Sequence, residues 1–95
     1  MDGIDSLTET RTLELKNKLG MHARAAASFV KVAQQFQSKI YIERDGQTVN
    51  GDSILDILTL ACPYGGKLTI VAEGTDATVA IHALEKLIEN KFGEE

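Results

Sequence analysis

The sequence has one cysteine, one proline, no tryptophan, three phenylalanines and two tyrosines among 95 residues. With Cys62 alone, no internal disulfide can form, and a single thiol fits a reducing compartment. Two histidines and one cysteine are too few for a zinc site, and neither a metal nor another cofactor is expected. No apolar run approaches the ~18 residues of a membrane span. The opening MDGIDSLTET lacks the basic start and apolar stretch of a signal peptide. Membrane insertion and export are therefore not expected, and the protein is placed in the cytoplasm. So few aromatics, with a net charge of −4 and no stacking pair on a strand, argue against an RNA-binding sheet or any other nucleic-acid partner.

What is present is ordinary for a globular chain: 43% hydrophobic and 25% charged residues. At this size a chain buries about 64% of roughly 15,000 Å² on folding, enough for one core without staples. Residues 1–10 read as a flexible polar extension ahead of a single domain over residues 11–95. The charge is unevenly placed. Between Leu15 and Ile42 lie Lys16, Lys18, Arg24, Lys31 and Lys39 with no acidic residue, whereas the rest carries five basic and fourteen acidic residues. A basic stretch in an acidic chain suits an anionic ligand or acidic partner met at one place, or is simply a solvated face.

Thr12 to Lys16 alternates with period two and predicts a strand with Leu13 and Leu15 inward. Gly20 then supplies a turn. From Ala23 to Phe36 the spacing of Ala26, Phe29, Val30 and Ala33 predicts an amphipathic helix. Lys39 to Arg44 is β-rich and ends in Asp45-Gly46, a pair suited to a type I′ hairpin into Gln47–Asn50. Ser53 to Ala61 predicts a short helix, and Lys67 to Glu73 a strand with Leu68, Ile70 and Ala72 inward. A last helix follows, with Thr75 as its N-cap, Asp76 in its first turn and a stripe of Ala77, Ala80, Ile81, Leu84 and Ile88. The order β-α-β-β-α-β-α implies an α+β two-layer sandwich, one sheet covered on one side.

His22 stands directly before the first long helix. Backbone N–H groups there lack intrahelical partners, and the dipole disfavours a cationic ring while favouring anions. A neutral imidazole with a free lone pair at that position, with Arg24 two residues on as a bidentate phosphate donor, suits a histidine that takes up and releases a phosphoryl group. A solvated cap or packed ring would account for the position equally. The chain has no P-loop, kinase-type glycine loop or acidic metal cluster, so the phosphoryl group would come from another protein. In the short helix, Ile54, Ile57, Leu58 and Ala61 share a core face, while Leu55 and Leu60 fall outside it. Leu55, with the edge of Leu58, is expected to form an exposed docking patch unless a loop covers it. Ser53-x-x-Asp56 reads as a capping box, which is sufficient reason for the serine. A regulatory phosphorylation beside the Leu55 patch is the functional alternative. His82 is read as a surface residue, and Cys62 as a small core or loop residue with no histidine nearby to activate it.

Two segments together carry a resemblance. Leu19-Gly20-Met21-His22-Ala23-Arg24-Ala25-Ala26 is similar to the G-[ILM]-H-A-R-P-A site of the phosphocarrier protein HPr family of the bacterial phosphoenolpyruvate-dependent phosphotransferase system. Asp45-Gly46-Gln47-Thr48-Val49-Asn50-Gly51-Asp52-Ser53-Ile54-Leu55 is similar to that family's hairpin and regulatory-serine segment. The resemblance runs from about Arg11 to Lys91. It implies an open-faced sandwich with an antiparallel sheet of order 1-4-2-3, and a carrier with no turnover of its own in sugar uptake or its regulation. His22 would be phosphorylated at Nδ1 by Enzyme I and pass the group to IIA domains, with Arg24 steadying it. Ser53 would match the serine that an HPr kinase/phosphorylase modifies in some bacteria. Leu55 and Leu58, together with Met21, Ala23 and Ala25 around the histidine, would meet partners. Oligomeric state is not readable from the sequence, and a monomer is the default expectation.

Three positions depart from the family pattern. Ala25 stands where proline is usual, which keeps a helix former and adds one N–H donor. Asp52 stands where relatives often carry lysine, and Asp56 replaces a residue that is often small or basic. His22 itself excludes related proteins lacking histidine at that position. A non-catalytic regulatory module of ferredoxin-like type, binding a small metabolite or a partner through the Leu55 patch, is the competing reading, and it would leave His22 chemically silent.

Overall fold

The structure is a computed structural model and describes residues 7–94. Four strands form one antiparallel sheet: β1 (Leu7–Glu14), β2 (Lys39–Arg44), β3 (Gln47–Asn50) and β4 (Lys67–Gly74), in the spatial order β1-β4-β2-β3. The helices are α1 (Ala23–Ala33), α2 (Ile54–Thr59) and α3 (Ala77–Glu89), followed by the single 3-10 turn Lys91–Gly93. The element order and the two-layer α+β architecture are those expected. β4 is central, pairing Leu7–Glu14 on one side and Lys39–Glu43 on the other.

The core lies between the sheet and the helices. Period-two alternation turns Leu68, Ile70 and Ala72 of β4 and Ile40 and Ile42 of β2 inward. They meet Ala26, Phe29, Val30 and Ala33 from α1 and the full expected stripe of α3, all buried. Asp45 (φ 52°) and Gly46 (φ 83°) form the hairpin with both residues left-handed.

Several boundaries differ from expectation. β1 begins at Leu7, so residues 7–10 are not a flexible extension: they pair with Val71–Gly74. The first six residues of that expected extension lie outside the described residues. The edge strand's inward positions Glu9 and Arg11 face α3, where Thr78 donates to Glu9 and Arg11 pairs with Glu85. That polar lining is why hydrophobic periodicity disclosed only the end of the strand, from Thr12, which stops at Glu14 rather than Lys16.

α1 ends at Ala33 rather than Phe36. Its last turn tightens, with the amides of Gln35 and Phe36 reaching only three residues back. The chain beyond is then caught by Asp76, whose carboxylate accepts the amides of Gln37 (2.8 Å) and Ser38 (2.9 Å) and the Ser38 hydroxyl. Asp76, not Thr75, is the N-cap residue of α3: its carbonyl accepts the Ala80 amide at 3.0 Å, and with its carboxylate turned to Gln37 and Ser38 it makes no side-chain cap of its own. The hydrogen bond from Ser38 first, then that from Gln37, hold its carboxyl below the ordinary aspartate value.

α2 is also shorter than expected. Three-residue-spaced bonds from Leu60 and Ala61 close it, and Ala61 adopts φ 49°. That rotation turns Leu60 into the core and Ala61 out, the reverse of the helical arc, and Ile54 is exposed rather than buried.

Candidate functional site

A tight loop delivers His22 to the start of α1. The Gly20 amide donates to the Asn17 carbonyl at 3.1 Å, and the Asn17 side-chain amide returns to the Gly20 carbonyl at 2.7 Å. Met21 donates its amide to the Cys62 carbonyl at 2.9 Å, which holds the loop against the segment after α2. Gly20 has φ 67°, and a Cβ there would sit 2.6 Å from the Cys62 oxygen and 2.9 Å from Pro63 Cα. Both the conformation and the contact demand glycine.

His22 leaves this loop with extended backbone (φ −87°, ψ 178°) and caps α1. Its Nδ1 accepts the backbone amide of Arg24 at 3.2 Å, while its carbonyl accepts the first helical bond from Ala26 at 2.9 Å. The ring therefore occupies the place a serine or aspartate oxygen takes in common caps. Nε2 points the other way and pairs with the Glu94 carboxylate. A ring that accepts at Nδ1 and donates at Nε2 is the Nε2–H tautomer, an assignment that follows from this hydrogen-bond network. The His22 side chain is 23% exposed, neither sealed in the core nor turned from the helix amides.

Glu94 reaches the ring from the C-terminal tail. Its other carboxylate oxygen accepts the Asn17 side-chain amide at 3.1 Å, and the Arg24 guanidinium lies 4.0 Å away. Burial opposes the Glu94 charge. The hydrogen bonds from Asn17 and His22, with the charge of Arg24, outweigh it and hold the carboxyl below the ordinary glutamate value.

The Arg24 side chain is three-quarters exposed, and its guanidinium faces the Glu94 carboxylate at 4.0 Å. Ser53 Oγ accepts the Asp56 amide at 3.2 Å, the forward half of the capping box. Leu55 is 77% exposed, as Leu19 and Tyr64 largely are, and Leu58 is half-buried against the core. Ala23 is exposed. Met21 and Ala25 require a correction as partner contacts. Both are buried: the loop before α1 packs Met21 against the core, with 5% of it exposed, and α1 turns Ala25 fully inward. Cys62 is buried, and burial pushes its thiol above the ordinary value, only partly offset by Arg44. It is no ready nucleophile. His82 is exposed on α3.

Residues 9–90 match the family model described as "PTS HPr component phosphorylation site". The chain belongs to the HPr family. It is 42% identical over 85 residues to the phosphocarrier protein HPr of Treponema pallidum, covering 90% of this chain and 97% of that protein. Its fold matches the crystal structure of an HPr from Thermoanaerobacter tengcongensis with a TM-score of 0.88 and 48% identity, over 92% of this chain and 98% of the other. An HPr dimer from the same organism matches with a TM-score of 0.73 and 49% identity, over 86% of this chain and 94% of the other. The HPr sheet order and helix placement are thus present here.

Two residues beside His22 escaped sequence reasoning. Asn17 continues the inward parity of Leu13 and Leu15, and a lone polar residue at an inward position was the available signal. Nothing in the sequence pointed to Glu94, since only the fold of the tail brings it back.

Proposed function

We propose that His22 is a phosphoryl carrier, charged by phosphorylated Enzyme I and discharged to IIA domains in phosphotransferase-system sugar uptake or its regulation. The observation that carries this reading is the Nδ1 lone pair of a part-exposed imidazole, aimed at a helix-start amide. In the transfer, Nδ1 attacks phosphorus in line with the donor. The new N–P bond forms as the donor's bond to phosphorus breaks, and that electron pair leaves with the donor. The proton on Nε2 stays where it is, so the ring becomes a phosphoimidazolium. The Arg24 amide, relieved of Nδ1, is placed to donate to a phosphate oxygen, where the helix N-terminus favours negative charge. The Arg24 guanidinium supplies further donors as the charge redistributes. Such a transfer is positioning plus charge neutralisation, which needs no cofactor.

Exposure of His22 suits a carrier, because two successive proteins must bring their own groups into line with Nδ1. Leu55, with Leu58 at its edge and Ala23 beside the histidine, supplies an apolar rim for those encounters. Ser53, at the start of α2, is the site at which an HPr kinase/phosphorylase would add charge to that surface and weaken docking. We place the reaction in the cytoplasm and the working form as a monomer. The test is incubation with phosphoenolpyruvate and Enzyme I. Label that is acid-labile, alkali-stable and absent from His22→Ala supports the carrier, and an unlabelled wild-type protein refutes it.

A further inference from the structure

The segment after α2, residues 60–66, is held on one side by the end of β1 and the histidine loop. Met21 gives its amide to the Cys62 carbonyl at 2.9 Å, and Leu15 exchanges backbone hydrogen bonds of 2.9 Å with Gly65 and Gly66. On the other side stands Arg44, the last residue of β2, which donates from Nη1 to the Leu60 carbonyl at 2.9 Å. α2 carries no basic residue in its last turn, so this guanidinium supplies from another element the positive charge that a helix C-terminus favours. The same charge acts on the buried Cys62 thiol, two residues further on. Arg44 thus brackets Ala61, which has φ 49°. Glycine usually takes that left-handed place after a helix cap, and alanine keeps it only where its surroundings impose it.

We propose that Arg44 is a positioning residue for His22: by fastening Leu60 it holds the left-handed turn at Ala61, and through the Cys62 carbonyl and the Met21 amide it fixes the loop from which His22 caps α1. This rests on the reading of His22 as the phosphoryl acceptor. Leu60 and Cys62 are both buried, so the turn between them cannot rotate without drawing one of them from the core. Such a rotation would swing the Cys62 carbonyl, which packs so closely on Gly20 that a Cβ there would sit 2.6 Å from its oxygen. Met21 follows the carbonyl to which it donates, and His22 follows Met21. The atom displaced at the end of the chain is Nδ1, whose direction toward the Arg24 amide sets the line of attack on phosphorus. Asp45 lies 3.7 Å from the guanidinium but is largely in solvent, which leaves the Leu60 carbonyl as the closer partner. Leu55 is exposed near the opposite end of α2, so docking and positioning draw on different residues.

The test compares wild-type protein with Arg44→Met, Arg44→Lys and the double variant Arg44→Met/Ala61→Gly. Two quantities are read. One is single-turnover transfer from phosphorylated Enzyme I, resolved into its saturating rate and its half-saturating concentration. The other is hydrogen exchange at the Met21 amide, with the Ile70 amide of β4 as the control. Arg44→Met should lower the saturating rate roughly tenfold, short of the hundredfold that a full ångström of misplacement costs, and leave the half-saturating concentration in place. Its Met21 amide should exchange about tenfold faster while Ile70 exchanges as before. Arg44→Lys keeps one charged donor and should recover part of both. The double variant should return both to near wild type, because glycine holds the left-handed turn unaided. A side chain that only stabilises the fold would lower the melting temperature and speed exchange at Met21 and Ile70 alike, with the saturating rate intact, and that result overturns the proposal. So does a loss confined to the half-saturating concentration, or a double variant no better than Arg44→Met. A wild-type protein that takes no label refutes the carrier reading instead, and the Met21 exchange, read without Enzyme I, still decides whether Arg44 fixes the loop.

Discussion

The backbone amide of Arg24 donates to Nδ1 of His22 at 3.2 Å, so the nitrogen proposed to attack phosphorus faces the amide proposed to receive the phosphate. Capping and the proposed transfer draw on one property of the helix start: donors with no helical partner. The unphosphorylated ring satisfies one of them, and a phosphoryl group on the same nitrogen would inherit it.

That inheritance involves the Arg24 amide, which any residue supplies, whereas the guanidinium is specific. Arg24→Ala should therefore retain the fold, because the side chain is three-quarters exposed. It should slow phosphorylation by Enzyme I by about 10- to 100-fold, the scale of losing a charge-assisted donor. Arg24→Lys should recover only part of the rate, since an ammonium lacks the bidentate fork. Stopped-flow transfer kinetics with circular dichroism as the fold control checks both.

Ser53 combines a structural and a regulatory reading that substitutions can separate. Removing the cap in Ser53→Ala should cost about 0.5–2 kcal/mol, measured by denaturant unfolding, while transfer from Enzyme I stays near wild type. Ser53→Asp keeps a capping oxygen and adds charge beside Leu55. It should preserve stability and slow the transfer from Enzyme I. Equal transfer kinetics in Ser53→Asp and wild type would remove the regulatory role.

Asp76 predicts a pH dependence of stability. Its carboxyl is held below the ordinary value by Ser38 first and then Gln37, so the folded state takes up its proton later than the unfolded chain does. The contribution is complete above the ordinary carboxyl value of about 4 and is lost as pH falls through the lowered folded value. In Asp76→Asn this part of the acid slope should vanish. Denaturant midpoints of both proteins between pH 2 and 6 would show converging curves at the acid end.

The sequence made legible what depends on local periodicity: the order of elements, the α3 stripe, the inward face of β4, the hairpin at Asp45-Gly46, and His22 at a helix start. It did so less well where a distant partner decides. Thr75 looks like the better cap by position, but Asp76 is recruited by Ser38 from another part of the chain. The helical arc misplaced Leu60 and Ala61 because α2 tightens before it completes another turn. Glu9 and Arg11 gave no strand signal because α3 supplies polar partners for them. Gly20 announced a turn, but not that its missing Cβ makes room for the Cys62–Pro63 backbone.

The central claim concerns one atom, Nδ1 of His22. Protein labelled with nitrogen-15 and phosphorylated by Enzyme I would show directly which nucleus bears the phosphorus, through one-bond coupling between the two. The account predicts coupling at Nδ1 of His22 alone, with the proton remaining on Nε2. Coupling at Nε2, or phosphate found only on His82 or another side chain, would contradict it.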